Sequence, residues 1–207
     1  MTWTKFLLRK TGSAMQTFKE KKLLFDFPDD WQVTHYDAKA DPITGTLAGF
    51  YRRILTGGGV KYVQAVDFIC HLPDAPKKLQ FIEVKDDRLD TKAEGERRTQ
   101  LFEAVMSKVA STLAGLLIAE RLGEQMDDDL LRPMACLSVE PEIDVVLFWV
   151  EPPVAGTVLR RVVKKDGKTL LHQRLAAKLG QWGITFYLYN LVDTDRLPPD
   201  WQVRDLA

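Results

Sequence analysis

Three charged side chains lie inside two neighbouring apolar stretches of the sequence. Asp67 lies in the stretch AVDFIC, and Glu83 and Lys85 lie in the next one, FIEVK. Side chains alternate across a strand, so Glu83 and Lys85 point to the same face, with their Cα atoms about 7 Å apart. Neighbouring strands are about 4.8 Å apart, so Asp67 can reach Glu83 if the register allows it. Charged groups are rarely buried without partners, so this arrangement requires an explanation.

Two carboxylates and a backbone carbonyl can form a metal site made of hard oxygen ligands. Such a site suits Mg²⁺ or Mn²⁺. Lys85 beside it could orient a water molecule or stabilise charge on a phosphate. The alternative is a structural ion pair across the strands, between Lys85 and either Asp67 or Glu83. The residues by themselves leave both interpretations open.

The order of these residues and of the elements around them resembles a known superfamily. Asp67, then Glu83-x-Lys85 on the next strand, then a long helix and a buried strand are similar to the PD-(D/E)XK nucleases. The resemblance covers roughly residues 13–150. It implies an α/β fold with a restriction-endonuclease-like αβββαβ core, in which helices flank a mixed sheet. Residues 151–207 would then form a helix–strand extension of the same single domain.

The resemblance also implies roles for individual residues. Asp67 and Glu83, with the backbone carbonyl of Val84, would bind Mg²⁺ or Mn²⁺. Lys85 would orient the attacking water. In one exonuclease branch a Gln-x-x-x-Tyr motif follows on the next helix. The Tyr is absent in this chain, and Gln100 is left as a residue that could support the site.

The expected activity is metal-dependent hydrolysis of phosphodiester bonds, with DNA as the expected substrate, by a homodimer or within a larger defence or repair complex. The alternative is an inactive nuclease-fold module that binds nucleic acid or a protein partner. Many superfamily members add an acid from their first helix, and Glu20 is the one acid before Asp26. Basic residues that could hold a DNA backbone lie on two predicted helices, at Arg97, Arg98, Arg160, Arg161, Lys164 and Lys165.

The composition excludes several classes of protein. With 29 basic and 29 acidic residues the formal net charge is zero, which excludes a globally basic coat protein and disorder driven by net charge. The two cysteines, Cys70 and Cys136, cannot form a disulfide framework, and they indicate a reducing, cytoplasmic setting. The best apolar run, Leu113 to Ala119, is shorter than the ~20 residues of a bilayer span, so no membrane association is expected.

Hydrophobic periodicity predicts the elements that would position these residues. A helix is expected over Ser13–Leu24 and a short strand over Asp29–Tyr36. A hairpin is expected from Leu47–Leu55 to Val60–Leu72, with Thr56–Gly59 as its turn. The remaining elements are a strand over Lys78–Lys85, a helix over 95–122, a buried strand over Ile143–Val150, a helix over 157–180 and a strand over Ile184–Leu191.

Overall fold

Two β-sheets and two long helices make up the part of the chain that the structure describes. The structure is a computed structural model that describes residues 14–39, 49–50, 52, 63–73, 75–122, 141–152, 158–191 and 201–206, with the backbone alone for 75–77 and 158–165. The elements are β1 (Met15–Glu20), β2 (Leu23–Pro28), β3 (Gln32–His35), β4 (Phe68–Leu72), β5 (Ala75–Asp86), α1 (Glu94–Leu122), β6 (Glu142–Val150), α2 (Val158–Gly180), β7 (Ile184–Tyr189) and β8 (Gln202–Asp205).

The larger sheet has five strands in the order β3-β4-β5-β6-β7. The β3–β4 and β4–β5 pairs are antiparallel, whereas the β5–β6 and β6–β7 pairs are parallel. Parallel neighbours need a crossover connection. Helix α1 lies between β5 and β6 in the chain, and α2 lies between β6 and β7. The fold is therefore of the α/β class, as the sequence predicts.

The two faces of the larger sheet pack against different layers. On one face Phe81, Leu147 and Trp149 form a core with residues of α1 and α2. On the other face Ile82 and its neighbours form a core, rich in aromatic residues, with a second sheet of order β1-β2-β8. Because side chains alternate along β5, Glu83 lies on the same face as Phe81, which is the face that the helices cover.

The segment predicted as a helix over Ser13–Leu24 is a β-hairpin, so that prediction is wrong. A two-residue turn joins β1 to β2, and Glu20 pairs with Leu23. The sequence also contains a signal for a strand, the alternation of apolar Leu23, Phe25 and Phe27. Their buried side chains lie in the aromatic core. Strand β8, from far along the chain, pairs with β2 and completes this sheet.

The hairpin predicted from Leu47–Leu55 to Val60–Leu72 is also wrong where the described residues allow a comparison. Phe50 and Arg52 are helical, and most of residues 47–62 lie outside the described part of the chain. Strand β4, at the end of the predicted return strand, pairs with β3 instead. The pairing joins two short strands that are far apart in the sequence, which a local turn signal cannot indicate.

The other predicted elements are confirmed. Strands β3, β5, β6 and β7 and helices α1 and α2 lie within a few residues of their predicted bounds. Strand β6 is buried along most of its length, as its continuous apolar sequence predicts. Helix α2 continues unbroken through Gly167.

Helix α1 is long and apolar enough to cross a membrane, judged by length and composition alone. In the structure one side of it, which includes Leu101, Val105 and Val109, is buried in the core beside the larger sheet. The core helix of a globular protein meets the same criterion. Length and apolarity therefore do not by themselves assign α1 to a membrane.

Replacing Trp201 with Ala should strongly destabilise the fold. Trp201 is 1% exposed, and its ring centroid lies 6.0 Å from that of Phe25 and 5.7 Å from that of Phe27. The loss of so large a buried side chain should lower the free energy of unfolding by about 3–5 kcal/mol. The matched substitution of exposed Gln202 by Ala should change it by less than about 0.5 kcal/mol. Urea denaturation followed by circular dichroism measures both values, and equal losses would show that Trp201 does not close the aromatic core.

Candidate functional site

The structure brings Asp67 and Glu83 together, as the sequence predicts. Asp67 directly precedes β4, and the pairing of Phe68 with Ile82 sets Asp67 opposite Glu83 on β5. The backbone N–H of Val84 donates to Oδ2 of Asp67 at 2.6 Å. Asp67 is only 5% exposed and Glu83 only 3%. Two carboxyl groups therefore lie side by side in the interior, where an unpaired charge is costly.

Lys108 of α1 supplies positive charge to this pair. Its Nζ donates to both carboxylate oxygens of Glu83, at 2.7 and 2.8 Å. One turn later the Thr112 hydroxyl donates to the carbonyl of Lys108 at 2.8 Å, and it accepts the N–H of Val66 at 3.1 Å. Since Val66 precedes Asp67 in the chain, Thr112 fixes the position of α1 relative to the start of β4. The ammonium group of Lys108 is thereby held at Glu83.

Lys21 reaches the same region from the tip of the β1–β2 hairpin. Its Nζ donates to the backbone carbonyl of Val84, which is the carbonyl expected to join the two carboxylates as a metal ligand. Lys21 has a φ of 56°, a left-handed conformation that residues with a side chain seldom adopt. Two lysine ammonium groups therefore contact two of the three groups expected to bind metal.

Glu20 lies beside this cluster, although on a strand and not on a helix. Its Oε2 is 3.0 Å from Nε2 of His35 at the end of β3. Burial opposes the ionisation of Glu20, but the bond to His35 and the charges of Lys21 and Lys108 outweigh burial and lower its pKa. The His35 ring stacks on Phe68, with 4.6 Å between centroids. Glu20 and His35 thus form an acid–imidazole pair next to Asp67.

Burial and mutual repulsion disfavour the charged forms of the two carboxyl groups. Burial raises the pKa of Glu83 to about 8, and the charge of Asp67 adds to this rise while Lys108 opposes it. Burial also raises the pKa of Asp67, against the nearby charges of Lys108 and Lys21. For Lys108 burial lowers the pKa, but the carboxylates of Glu83 and Asp67 outweigh burial and raise it. The buried carboxylates therefore depend on this ammonium group.

Lys85 lies on the same strand face as Glu83 but has a different partner. Its Nζ is 3.4 Å from Oδ1 of Asp87, and its side chain is 42% exposed. Asp87 is 3% exposed, and its Oδ2 accepts a hydrogen bond from Nε1 of Trp149 at 2.9 Å. The ion pair that the sequence allowed between Lys85 and Asp67 or Glu83 is therefore not formed among the described residues.

The structure does not bring Gln100 to the carboxylates. Its side chain is exposed on the second turn of α1, where it accepts from Nζ of Lys92 at 2.8 Å and donates to Glu96 at 3.0 Å. Lys108, two turns further along the same helix, is the residue that reaches Glu83. A signal for it was present in the sequence, because Lys108 falls at helical spacing from the buried residues Val105 and Thr112.

The basic residues proposed to hold DNA differ in their surroundings. Arg97 donates to the carbonyl of Lys92 at 2.7 Å. Arg98 pairs with Glu94 at 3.3 Å and lies against Gly167 of α2, where a Cβ atom would be 0.9 Å from its guanidinium. The other four lie on the first half of α2 with side chains outside the described residues, at Arg160, Arg161, Lys164 and Lys165.

The donor atoms of this cluster are suited to a hard metal ion. The oxygens of Asp67 and Glu83 and the carbonyl of Val84 are the kinds of ligand that Mg²⁺ and Mn²⁺ prefer. Among the described residues no group of three or more His, Cys, Asp or Glu side chains could hold a metal ion. A metal here would therefore take two side chains and one carbonyl, with water completing its shell.

Comparisons of the chain with protein-family models, with curated proteins and with solved structures give no match. The chemistry that the site can support therefore follows from its own geometry. That geometry comprises a buried carboxylate pair, two lysines in contact with the same small region and a partly exposed Lys85 beside it.

The stability of the metal-free protein should fall as the pH rises. The pKa of Glu83 goes from 4.5 to about 8 on folding, so between these values the folded chain keeps a proton that the unfolded chain has released. The stabilisation from this proton is therefore fully present below pH 4.5 and is lost as the pH rises through about 8. Over this range the free energy of unfolding should fall by up to about 1.4 kcal/mol per pH unit. Urea denaturation in EDTA across this range measures the slope.

Glu83→Gln cannot ionise, so its slope should be clearly shallower than that of the wild type. Glu103→Gln on the exposed side of α1 makes the same chemical change away from the site, and it should keep the wild-type slope. A Glu83→Gln protein with an unchanged slope would contradict the raised pKa of this carboxyl group.

Proposed function

We propose that the protein is a divalent-metal-dependent nuclease that hydrolyses phosphodiester bonds, with DNA as its substrate. The observation that carries this proposal is the buried pair of Asp67, directly before β4, and Glu83, opposite it on β5, with the Val84 carbonyl beside them. Burying two carboxyl groups side by side costs stability unless positive charge compensates for them. A divalent cation bound by both groups would supply such charge.

The topology is consistent with a restriction-endonuclease-like core. Three antiparallel strands, β3 to β5, are followed by α1 and then by β6 parallel to β5. This is the order of the βββαβ part of the αβββαβ core. Before β3, however, the described residues form the β1–β2 hairpin in place of a first helix. The proposed nuclease-like part of the fold therefore begins at β3.

The proposed mechanism gives each residue of the site a separate task. Asp67, Glu83 and the Val84 carbonyl would hold Mg²⁺ or Mn²⁺, which when bound would polarise the phosphate and lower the pKa of a bound water. Lys85 extends from the same strand face and is exposed enough to meet a phosphate oxygen. Asp87, fixed by Trp149, would keep the Lys85 ammonium near the edge of the site. Positive charge there stabilises charge that develops on the phosphate.

DNA binding is proposed to involve the basic residues on the two helices. Arg97 and Arg98 lie at the start of α1, and Arg160, Arg161, Lys164 and Lys165 lie on α2. Contacts of this kind position a nucleic-acid backbone without reading its sequence. The cytoplasmic setting, and the homodimer or larger defence or repair complex, remain predictions from the sequence.

A non-catalytic module of the same fold is the second candidate. The observation that favours it is the position of the two lysines, because Lys108 contacts both oxygens of Glu83 and Lys21 contacts the Val84 carbonyl. If these contacts persist when metal is supplied, the site cannot bind it. The protein would then act by binding nucleic acid or a protein partner.

Metal-dependent cleavage that requires Glu83 is the expected result. The wild type should cut at least one member of a panel of linear duplex, circular, single-stranded and branched DNA and RNA, with Mg²⁺ or Mn²⁺ but not with EDTA. Glu83→Gln should lower the rate about 100-fold or more, because it removes a metal ligand while leaving the shape of the side chain.

The exposed Glu103→Gln variant should cut like the wild type. Circular dichroism should confirm that all three proteins are folded before rates are compared. If no substrate is cut, or if Glu83→Gln cuts as fast as the wild type, the non-catalytic module becomes the better account.

A further inference from the structure

We propose that Lys21 and Lys108 are built-in counter-ions of the Asp67–Glu83 pair, which compete with a divalent metal ion for the same oxygen atoms. The inference rests on the proposed function in one respect, since it takes these oxygens as the metal's ligands. It adds a form of regulation: the metal-free site is occupied by the protein's own ammonium groups, and metal binding requires them to withdraw.

Lys108 contacts both carboxylate oxygens of Glu83. Both oxygens lie within 2.8 Å of Nζ, so the ammonium group takes the side of the carboxylate that faces it. The exposed fractions of the two side chains are 15% for Lys108 and 5% for Glu83. Little solvent is present to weaken the interaction. A metal ion that binds Glu83 on that side must therefore displace the ammonium group of Lys108, and on any other side it is repelled by this charge.

Lys21 supplies the second positive charge, from the first position of the two-residue hairpin turn. Its φ of 56° is disfavoured for any residue with a Cβ atom and is ordinarily adopted by Gly or Asn. A two-residue hairpin turn accounts for it, since the first residue of such a turn commonly has a positive φ. Here the ammonium group of Lys21 donates to the Val84 carbonyl. Together the two lysines carry the same charge as one Mg²⁺ ion.

The two lysines differ in how firmly they are held. Lys108 lies on the long core helix, and Thr112 ties its carbonyl to the N–H of Val66. Lys21 lies in a two-residue turn at the tip of a hairpin whose first strand, β1, is an edge strand. The Lys21 side chain is exposed, so it can move without disturbing the core. Lys21 is therefore the one that withdraws entirely, whereas Lys108 turns aside within the site.

Direct measurement of metal binding tests this competition independently of cleavage. Isothermal titration calorimetry with Mn²⁺ would compare the full-length wild type with Lys21→Asn and Lys108→Met. Asn tolerates the left-handed conformation, so Lys21→Asn removes the charge without adding strain to the turn. Each variant should bind Mn²⁺ about tenfold more tightly or better, because a nearby competing charge is lost.

Lys22→Asn is the matched control. It removes the same charge from the neighbouring residue, whose side chain is exposed. It should change the affinity by no more than about fourfold, the effect of a unit charge some 10 Å away from a divalent ion in water. Lys108→Met without metal should also melt several degrees lower than the wild type, and Mn²⁺ should restore most of the difference. If Lys108→Met does not fold, Lys21→Asn still decides the question.

The possible outcomes separate this inference from the proposed nuclease function. Unchanged or weaker binding in the Lys21→Asn variant, with a wild type that binds Mn²⁺, would overturn it and leave the lysines as structural partners. No binding by any variant at millimolar Mn²⁺ would overturn both proposals. Tighter binding without cleavage of any substrate would support the counter-ions and reject the nuclease. If the lysine variants bind Mn²⁺ and the wild type does not, the counter-ions would again be supported and the nuclease function rejected.

Discussion

Two carboxyl groups buried side by side need positive charge close to them, and the arrangement around Asp67 and Glu83 meets this need. The charge comes from Lys108 on the core helix and from Lys21 on the hairpin turn. If either contact were lost, the low-dielectric interior would raise the already elevated pKa values of these carboxyl groups further. This balance of charge depends on the register of β4 on β5, on the position of α1 and on the position of the hairpin turn.

The contacts that hold this balance come from parts of the chain that are far apart in the sequence. Thr112 ties α1 to the residue before Asp67, and the Val84 N–H bonds to the Asp67 carboxylate. The strand pairing, the helix position and the site therefore depend on the same few hydrogen bonds. Because these bonds are shared, a substitution at Thr112 would disturb both the fold and the chemistry of the site.

Much of the central sheet could be predicted from local pattern, whereas the partners of the site could not. The alternation in FIEVK placed Glu83 and Lys85 on one face, and the continuous apolar run before Val150 indicated a buried strand, as observed. The hairpin at Lys21 was missed because β8, the strand that completes its sheet, lies at the other end of the sequence. Lys108 was missed because its partner Glu83 is 25 residues away, and helical spacing indicates a shared face without indicating what that face meets.

The pairing of β8 with β2 has a consequence for the way this protein is synthesised. The strand that covers Phe25 is almost the last part of the chain described here, while Lys21 is among the first. As the ribosome extends the chain from its amino end, the hairpin turn has no complete sheet behind it until residues 201–206 have emerged. A chain that stopped before residue 201 would contain Asp67, Glu83 and all the strands of the larger sheet, yet it would lack β8, the strand that pairs with β2 behind the lysine turn. Synthesis must therefore pass residue 206 before Lys21 has its full support.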